Sequence, residues 1–378
     1  VNSGLKIYIV FIAAIFASLI SGCSIFQSPA SMIGKKAKTV SKPMDVLPTG
    51  PGSDLKIFNY GVAAAKRGDT KKAERMFREA TVRNPNMTDA WCNLGVALYK
   101  LGKIAEAQTT LRRCLRMNQR HERALFAYGL VLAAKKEHNK ARAIFEKVLA
   151  KDPKNLEARN NIGAADLAMG RTRQAEKVFR EVIEQDLMNV DAHVNLADVY
   201  LRMGKTDRAL SILNNIKKED PNHWNLQHNL GRCYARKKDW TKAREAFAMA
   251  NAKNPFNADV LINLGGAQLR LNQTSQAIKS FERAREIEPG NAQIATNLAA
   301  AYRASGQVDK AKKMLEGILK KDPRSARAFL NLGILYEVNL KQYKKAHFCY
   351  SKYLSYERNK DEQYQMVKGW AESLKKRK

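Results

Sequence analysis

Asparagine recurs along this chain at one fixed interval. Asn59, Asn93, Asn161, Asn195, Asn229, Asn263, Asn297 and Asn331 fall on a 34-residue grid, with Ala127 as the one exception. A carboxamide carries donor and acceptor together, so a row of them could pair with the backbone of an extended peptide whatever its side chains. Hydrogen bonds from each amide to the neighbouring segment would explain the same row structurally. Asparagine is about 0.5 kcal/mol less favourable than alanine inside a helix, so its repetition asks for one of these reasons. Arg202, Arg232, Arg236 and Arg270 share the face of this row, together with Asp191, Asp198 and Asp259. Such a set makes either a solvated ion-pair network or a clamp for an anion or carboxylate.

Bond-making chemistry finds no comparable pattern. There is no G-x-S-x-G, H-E-x-x-H or phosphate loop, and the carboxylates scatter instead of pairing. Gly265-Gly266 falls at a repeated position, not in a nucleotide loop. The five cysteines (Cys23, Cys92, Cys114, Cys233 and Cys349) include no C-x-x-C pair, and the six histidines are not at metal-ligand spacing. No catalytic residue, cofactor or metal is therefore expected. Cys92 and Cys114 could pair in an oxidising compartment, although buried free thiols suit so few and scattered cysteines better.

The elements that position these residues follow from the same grid. In a 34-residue frame beginning at Asp54, position 8 reads Gly61, Gly95, Gly129, Gly163, Ala197, Gly231, Gly265, Ala299 and Gly333. Position 20 reads Ala73, Ala107, Ala141, Ala175, Ala209, Ala243, Ala277 and Ala311, and one extra residue in the ninth repeat delivers Ala346. Position 24 reads Phe77, Leu111, Phe145, Phe179, Leu213, Phe247, Phe281, Leu315 and finally Tyr350. All ten prolines lie either before Gly52 or at position 32: Pro85, Pro153, Pro221, Pro255, Pro289 and Pro323. Positions 4, 7, 8 and 11 share one face of a first helix, and 20, 24 and 27 one face of a second. Small residues at 8 and 20 allow the two helices to approach closely. Glycine at position 15 (Gly68, Gly102, Gly170, Gly204, Gly306) suits the end of the first helix. Positions 2, 6, 9 and 13, which carry the asparagines and arginines, turn away from the hairpin core at about 100° per residue.

Trp91, Leu94, Gly95, Leu98, Ala107 and Leu111 show the pattern in the second repeat. This resembles the tetratricopeptide repeat, W-x₂-L-G-x₂-Y followed by Ala, Phe and Pro at period 34. The resemblance covers residues 54–360. It implies an all-α fold, a right-handed superhelical solenoid of nine helix-turn-helix repeats. A C-terminal capping helix over 361–378 would carry Tyr364, Val367, Trp370, Ala371 and Leu374, and end in a basic tail. In that family the outward face of the first helices lines the groove where ligands usually bind. The asparagine row resembles the groove of the protein O-linked N-acetylglucosamine transferases, where amides grip a peptide backbone. The chaperone-tail clamp of other members needs lysine at position 5 and asparagine at 9 of one repeat. No repeat here has both, so chaperone C-termini are not expected ligands.

The N-terminus reads as an address. Lys6 precedes an apolar run from Ile7 to Ile20, too short to cross a bilayer, followed by small residues. Ile20-Ser21-Gly22-Cys23 resembles the bacterial lipobox, which implies a signal peptide over 1–22 and acylation of Cys23. Ser24 in place of aspartate implies the outer membrane, facing the periplasm. Residues 23–53, with Pro29, Pro43, Pro48 and Pro51, read as a flexible tether.

The 67 Lys and Arg against 36 Asp and Glu give a net charge of +31. That charge either spreads over solvated helix faces or favours anionic partners. The expectation is a binding scaffold, not an enzyme, and its partner a protein or extended, acidic peptide segment. Lipoproteins of this build resemble assembly factors of pili and gliding-motility complexes. An adaptor for peptidoglycan synthases or hydrolases is the alternative. Nucleic acid is disfavoured, because the lipobox places the body outside the cytoplasm.

Overall fold

The computed structural model describes residues 49–375. Cys23, the expected signal peptide, most of the tether and the last three residues of the basic tail lie outside these. Among the described residues the chain is all helical, and no helix is long and apolar enough to cross a membrane. It forms nine helical hairpins and one final helix. These fall into two compact units, one ending at Pro221 after five hairpins, the other running from Asn222 through four hairpins and the last helix.

Within a hairpin the local sequence explains each boundary. Asn155 caps the first helix of repeat 4 (Leu156–Ala168) by accepting from Ala158 N–H at 2.8 Å, and Asn189 caps that of repeat 5 (Val190–Arg202) in the same way. At position 15 the backbone turns left-handed in all nine repeats, with φ between 57° and 79°. Five repeats place glycine there, and Lys136, Lys238, Asn272 and Lys341 adopt the same conformation in the rest. The following N–H reaches back to position 11, as Lys103 does to the Leu98 carbonyl at 2.9 Å, closing the helix end.

The second helix then packs position 24 against position 8 of the first. Every side chain at 24 is buried, and so is every alanine at 20. The extra residue of repeat 9 is absorbed as a single π-helical turn, Leu335–Asn339, at the end of the first helix (Ala326–Ile334). The closing bond there runs from Gln342 N–H to Tyr336 O at 2.8 Å, one residue longer than in the other repeats. This turn carries the buried Glu337, whose Oε2 accepts from the Tyr350 hydroxyl at 2.8 Å. Tyrosine at position 24 therefore has an acceptor that phenylalanine would not need. The final helix (Glu362–Lys375) buries Val367, Ala371 and Leu374 on the last hairpin, with the Trp370 ring 5.6 Å from that of Tyr350.

Repeat 1 is tied to repeat 2 by a carboxylate. Glu74 accepts from Arg78 at 2.8 Å and from Lys103 at 2.9 Å, and Arg78 also reaches Glu106 at 3.0 Å. Burial pushes the Glu74 pKa up, but the bonds from Arg78 and Lys103 together outweigh it and hold the carboxyl below its ordinary 4.5. A depressed folded-state pKa stabilises above the unfolded value and loses that contribution as pH falls through the folded one. Glu74→Gln is expected to cost about 1 kcal/mol at neutral pH, and urea unfolding should show that gap closing in acid, below the lowered pKa.

Candidate functional site

The asparagine row lies on the first helices, and its members differ in burial and bonding. In the unit ending at Pro221, Asn59 is exposed and Asn93 and Asn161 are half-buried, whereas Asn195 is buried. Asn93 accepts from Arg123 of the next repeat at 3.2 Å, and Asn161 donates to the carbonyl of Glu157 in its own helix at 2.8 Å. Asn195 donates to Asn160 of the preceding repeat at 3.2 Å. Arg202 bonds Asp198 at 3.1 Å and the Leu167 carbonyl at 2.9 Å, so it joins repeat 5 to repeat 4. Glu157 and Asp191 sit at position 2 of these same repeats, where burial and then the Asp191 charge push the Glu157 pKa up. This stretch of the face is mixed in charge.

From Asn222 onward the row sinks deeper. Asn229, Asn297 and Asn331 are buried, and Asn263 is half-buried. Asn229 accepts from the buried Arg232 at 2.8 Å, and Asn263 meets His228 Nε2 of the preceding repeat at 2.8 Å. Asn331 donates to the Arg327 carbonyl at 3.0 Å, while its Oδ1 finds no partner among the described residues. The Asn297 Nδ2 likewise has none. Arg236 is exposed, and Arg270 lies 4.6 Å over the Trp240 ring. Burial brings the Arg270 pKa down to about 10 and also lowers that of Arg303.

Each amide has two donor hydrogens and an acceptor oxygen. The bonds to Arg123, Asn160 and His228 use one side of an amide to link neighbouring repeats, and among the described residues these three amides make no second side-chain bond. The partners Asn160 and His228 both stand at position 5 of their repeats, a column not identified from the sequence.

Two other polar clusters also escaped the reading of spacing. Asp166, buried, takes Arg142 at 3.2 Å and Arg171 at 3.4 Å, and these three line a cleft of about 410 Å³ with Gln174, Lys177 and Glu181. Asp166 falls at position 11, inside the hairpin face, so the helical pattern alone marked it as core. The second cluster joins Cys92, Cys114 and His121, whose ligand atoms lie within 4.8 Å of one another. Cys92 and Cys114 lie on the two helices of repeat 2 and His121 caps the first helix of repeat 3, a span of 30 residues at no metal-ligand spacing.

Stacked helical hairpins of this register, with small residues at 8 and 20 and a left-handed residue at 15, define the class: a tetratricopeptide-repeat array. A family model described as tetratricopeptide repeat matches residues 60–107 and 92–155. A second, described as the cilia and flagella-associated protein 70 C-terminal domain, matches residues 155–333, just under half of the chain. No curated protein sequence matches. Among solved structures, a tetratricopeptide repeat protein from Parabacteroides merdae is 19% identical at a TM-score of 0.55, over 66% of this chain and 99% of its own. The APC/C hetero-tetramer Cut9-Hcn1 gives 14% identity and a TM-score of 0.59, over 86% of this chain and 76% of its own. The human IFIT1 dimer with m7Gppp-AAAA gives 19% and 0.55, over 82% and 79%. At these identities the likeness is one of fold. Proteins of this fold are generally non-enzymatic scaffolds that bind proteins or peptides.

Proposed function

We propose that this chain holds an extended protein segment along the outward face of its first helices, at the outer membrane, tethered through an acylated Cys23. In that place it would assist assembly of an envelope machine such as a pilus, a secretion apparatus or a gliding-motility complex. The observation that carries the binding reading is the pair Asn297 and Asn331. They occupy the same position in adjacent repeats, both buried, one with an amide donor and the other with an amide acceptor that lack a partner among the described residues. Unsatisfied buried polar groups are destabilising, and a peptide backbone offers the complementary acceptor and donor. Both atoms lie beneath the surface, so pairing requires a rotation of each amide. The support for the anchor is the apolar run ending in Ile20-Ser21-Gly22-Cys23. The charge of +31 favours the second reading, an adaptor for enzymes working on an anionic wall polymer.

Crosslinking in intact envelopes tests the reading. The Asn297→Ala/Asn331→Ala variant is expected to lose its crosslinked partner while keeping its helical circular dichroism. A variant at Asn195, Asn229 and Asn263 maps how far along the row the contact extends. A Cys23→Ala variant keeps the face and is expected to leave the membrane fraction. If the Asn297→Ala/Asn331→Ala variant retains every crosslink, the binding reading fails. If the recovered partner is a wall synthase or hydrolase, the adaptor reading replaces pilus or motility assembly.

A further inference from the structure

Repeat 2 differs from the others in its core. At position 5 of the first helix and position 27 of the second, repeat 1 places Phe58 and Ala80, and repeat 3 Phe126 and Val148. Repeat 2 places Cys92 and Cys114 there, on Thr88–Lys100 and Ile104–Met117. Position 34, which caps the next first helix, is asparagine in repeats 3, 4, 6 and 7 and histidine in repeats 2 and 5, His121 and His223, but only repeat 2 sets it beside two cysteines. The two sulfurs and one imidazole nitrogen lie within 4.8 Å of one another. Both thiols are buried, with 1% and 0% exposure, yet the His121 side chain is 16% exposed and so opens the cluster to solvent.

We propose that Cys92, Cys114 and His121 form a binding site for Zn²⁺. Two thiolates and an imidazole are the donor set that soft, tetrahedral zinc prefers. With Zn–S near 2.3 Å and Zn–N near 2.0 Å, tetrahedral ligand atoms stand about 3.4–3.8 Å apart, so small rotamer shifts close the site. Asp89 stands beside the set, against His121. Its Oδ1 is 3.0 Å from His121 Nε2, while His121 Nδ1 accepts from Ala124 N–H at 3.3 Å. A cation on Nε2 would have the Asp89 carboxylate beside it as a fourth ligand. A cation on Nδ1 would replace the long bond from Ala124 and leave Asp89 holding Nε2–H, the usual outer-shell partner of a metal-bound histidine.

The thiols already interact. Their mutual hydrogen bond, with burial, pushes the Cys92 thiol up, and the same bond lowers that of Cys114. Zinc would take the place of the thiol protons, which leave to solvent, with no change of oxidation state. Bound there, it would pin both helices of repeat 2 to the start of repeat 3.

The test uses the reduced, metal-free full chain and Co²⁺ as an optical probe, followed by displacement with Zn²⁺. One Co²⁺ per chain is expected, with thiolate-to-cobalt charge-transfer bands and the intense visible bands of a tetrahedral ion, all abolished by Zn²⁺. Cys92→Ala/Cys114→Ala should abolish them too. His121→Asn keeps the cap that repeats 3, 4, 6 and 7 use, so it retains the fold, and it should weaken binding at least tenfold. Asp89→Asn, at an exposed carboxylate, should weaken binding about 10–100-fold. Absence of charge-transfer bands in the reduced wild type, or affinity unchanged in a folded His121→Asn, overturns the proposal. A Cys92–Cys114 disulfide in a chain that binds no Co²⁺ after reduction does the same.

Discussion

Gly163→Ala is expected to destabilise repeat 4 by about 1–3 kcal/mol, and adding Phe179→Leu to recover most of the loss. A Cβ on Gly163 would lie 2.6 Å from Phe179 Cε1 and 2.9 Å from Cζ. That ring is fully buried between the two helices, so it cannot swing away. The repeats themselves record the compensation. Phenylalanine or tyrosine at position 24 always faces glycine at position 8, as in the pairs of Gly129 with Phe145 and Gly333 with Tyr350. Alanine at position 8 occurs twice, and both times leucine stands opposite: Ala197 with Leu213 and Ala299 with Leu315. Leucine permits alanine without requiring it, since Gly95 also faces Leu111, with 2.5 Å to its Cγ. An array need not unfold in one step, so the local opening free energy is the quantity to measure. Amide hydrogen exchange over Leu156–Ala168 and Thr172–Gln185 should speed up about 5–150-fold in Gly163→Ala and return towards wild type in the double variant. If the two changes simply add, the ring is not the cause.

The columns at 8 and 24 were both legible in the sequence, as was their smallness or bulk, because each is fixed by the same contact in every repeat. The coupling between them needed the geometry of Gly163 against Phe179. What varied from repeat to repeat was harder to read. Asn195 bonds Asn160 and Asn263 bonds His228, yet position 5 is Phe58, Cys92 and Phe126 elsewhere, so no column announces the partner. The displaced Ala346 revealed an insertion in repeat 9. That it forms a π turn and aims Glu337 at Tyr350, instead of lengthening a loop, follows only from packing. The Cys92, Cys114 and His121 cluster belongs to the same kind: two helix residues and the cap of a third helix, whose approach depends on how one hairpin leans on the next.

The end of the array shows what nearest-neighbour stability predicts. Val367→Asp is expected to undock the final helix, because burying an unpaired carboxylate costs several kcal/mol and exceeds what one helix face gains by docking. Val367 is fully buried, and Ala371, Leu374 and Trp370 pack with it over Tyr350 and Tyr353. Undocking would bare those two rings, so the ninth hairpin loses stability by about 3 kcal/mol, a hundredfold or more in local opening. In a stack where each hairpin contacts only its neighbours, that loss decays along the chain. Hydrogen exchange should therefore accelerate strongly over Tyr343–Tyr356, less over Val308–Lys321, and little over Trp240–Lys253 of the same unit. Lys368→Asp, on the exposed side of the same helix, is the control and should leave all three nearly unchanged. Uniform acceleration across the three helices would instead show that the unit from Asn222 onward opens as one cooperative body, with the last helix stabilising every repeat in it and not only the one it covers.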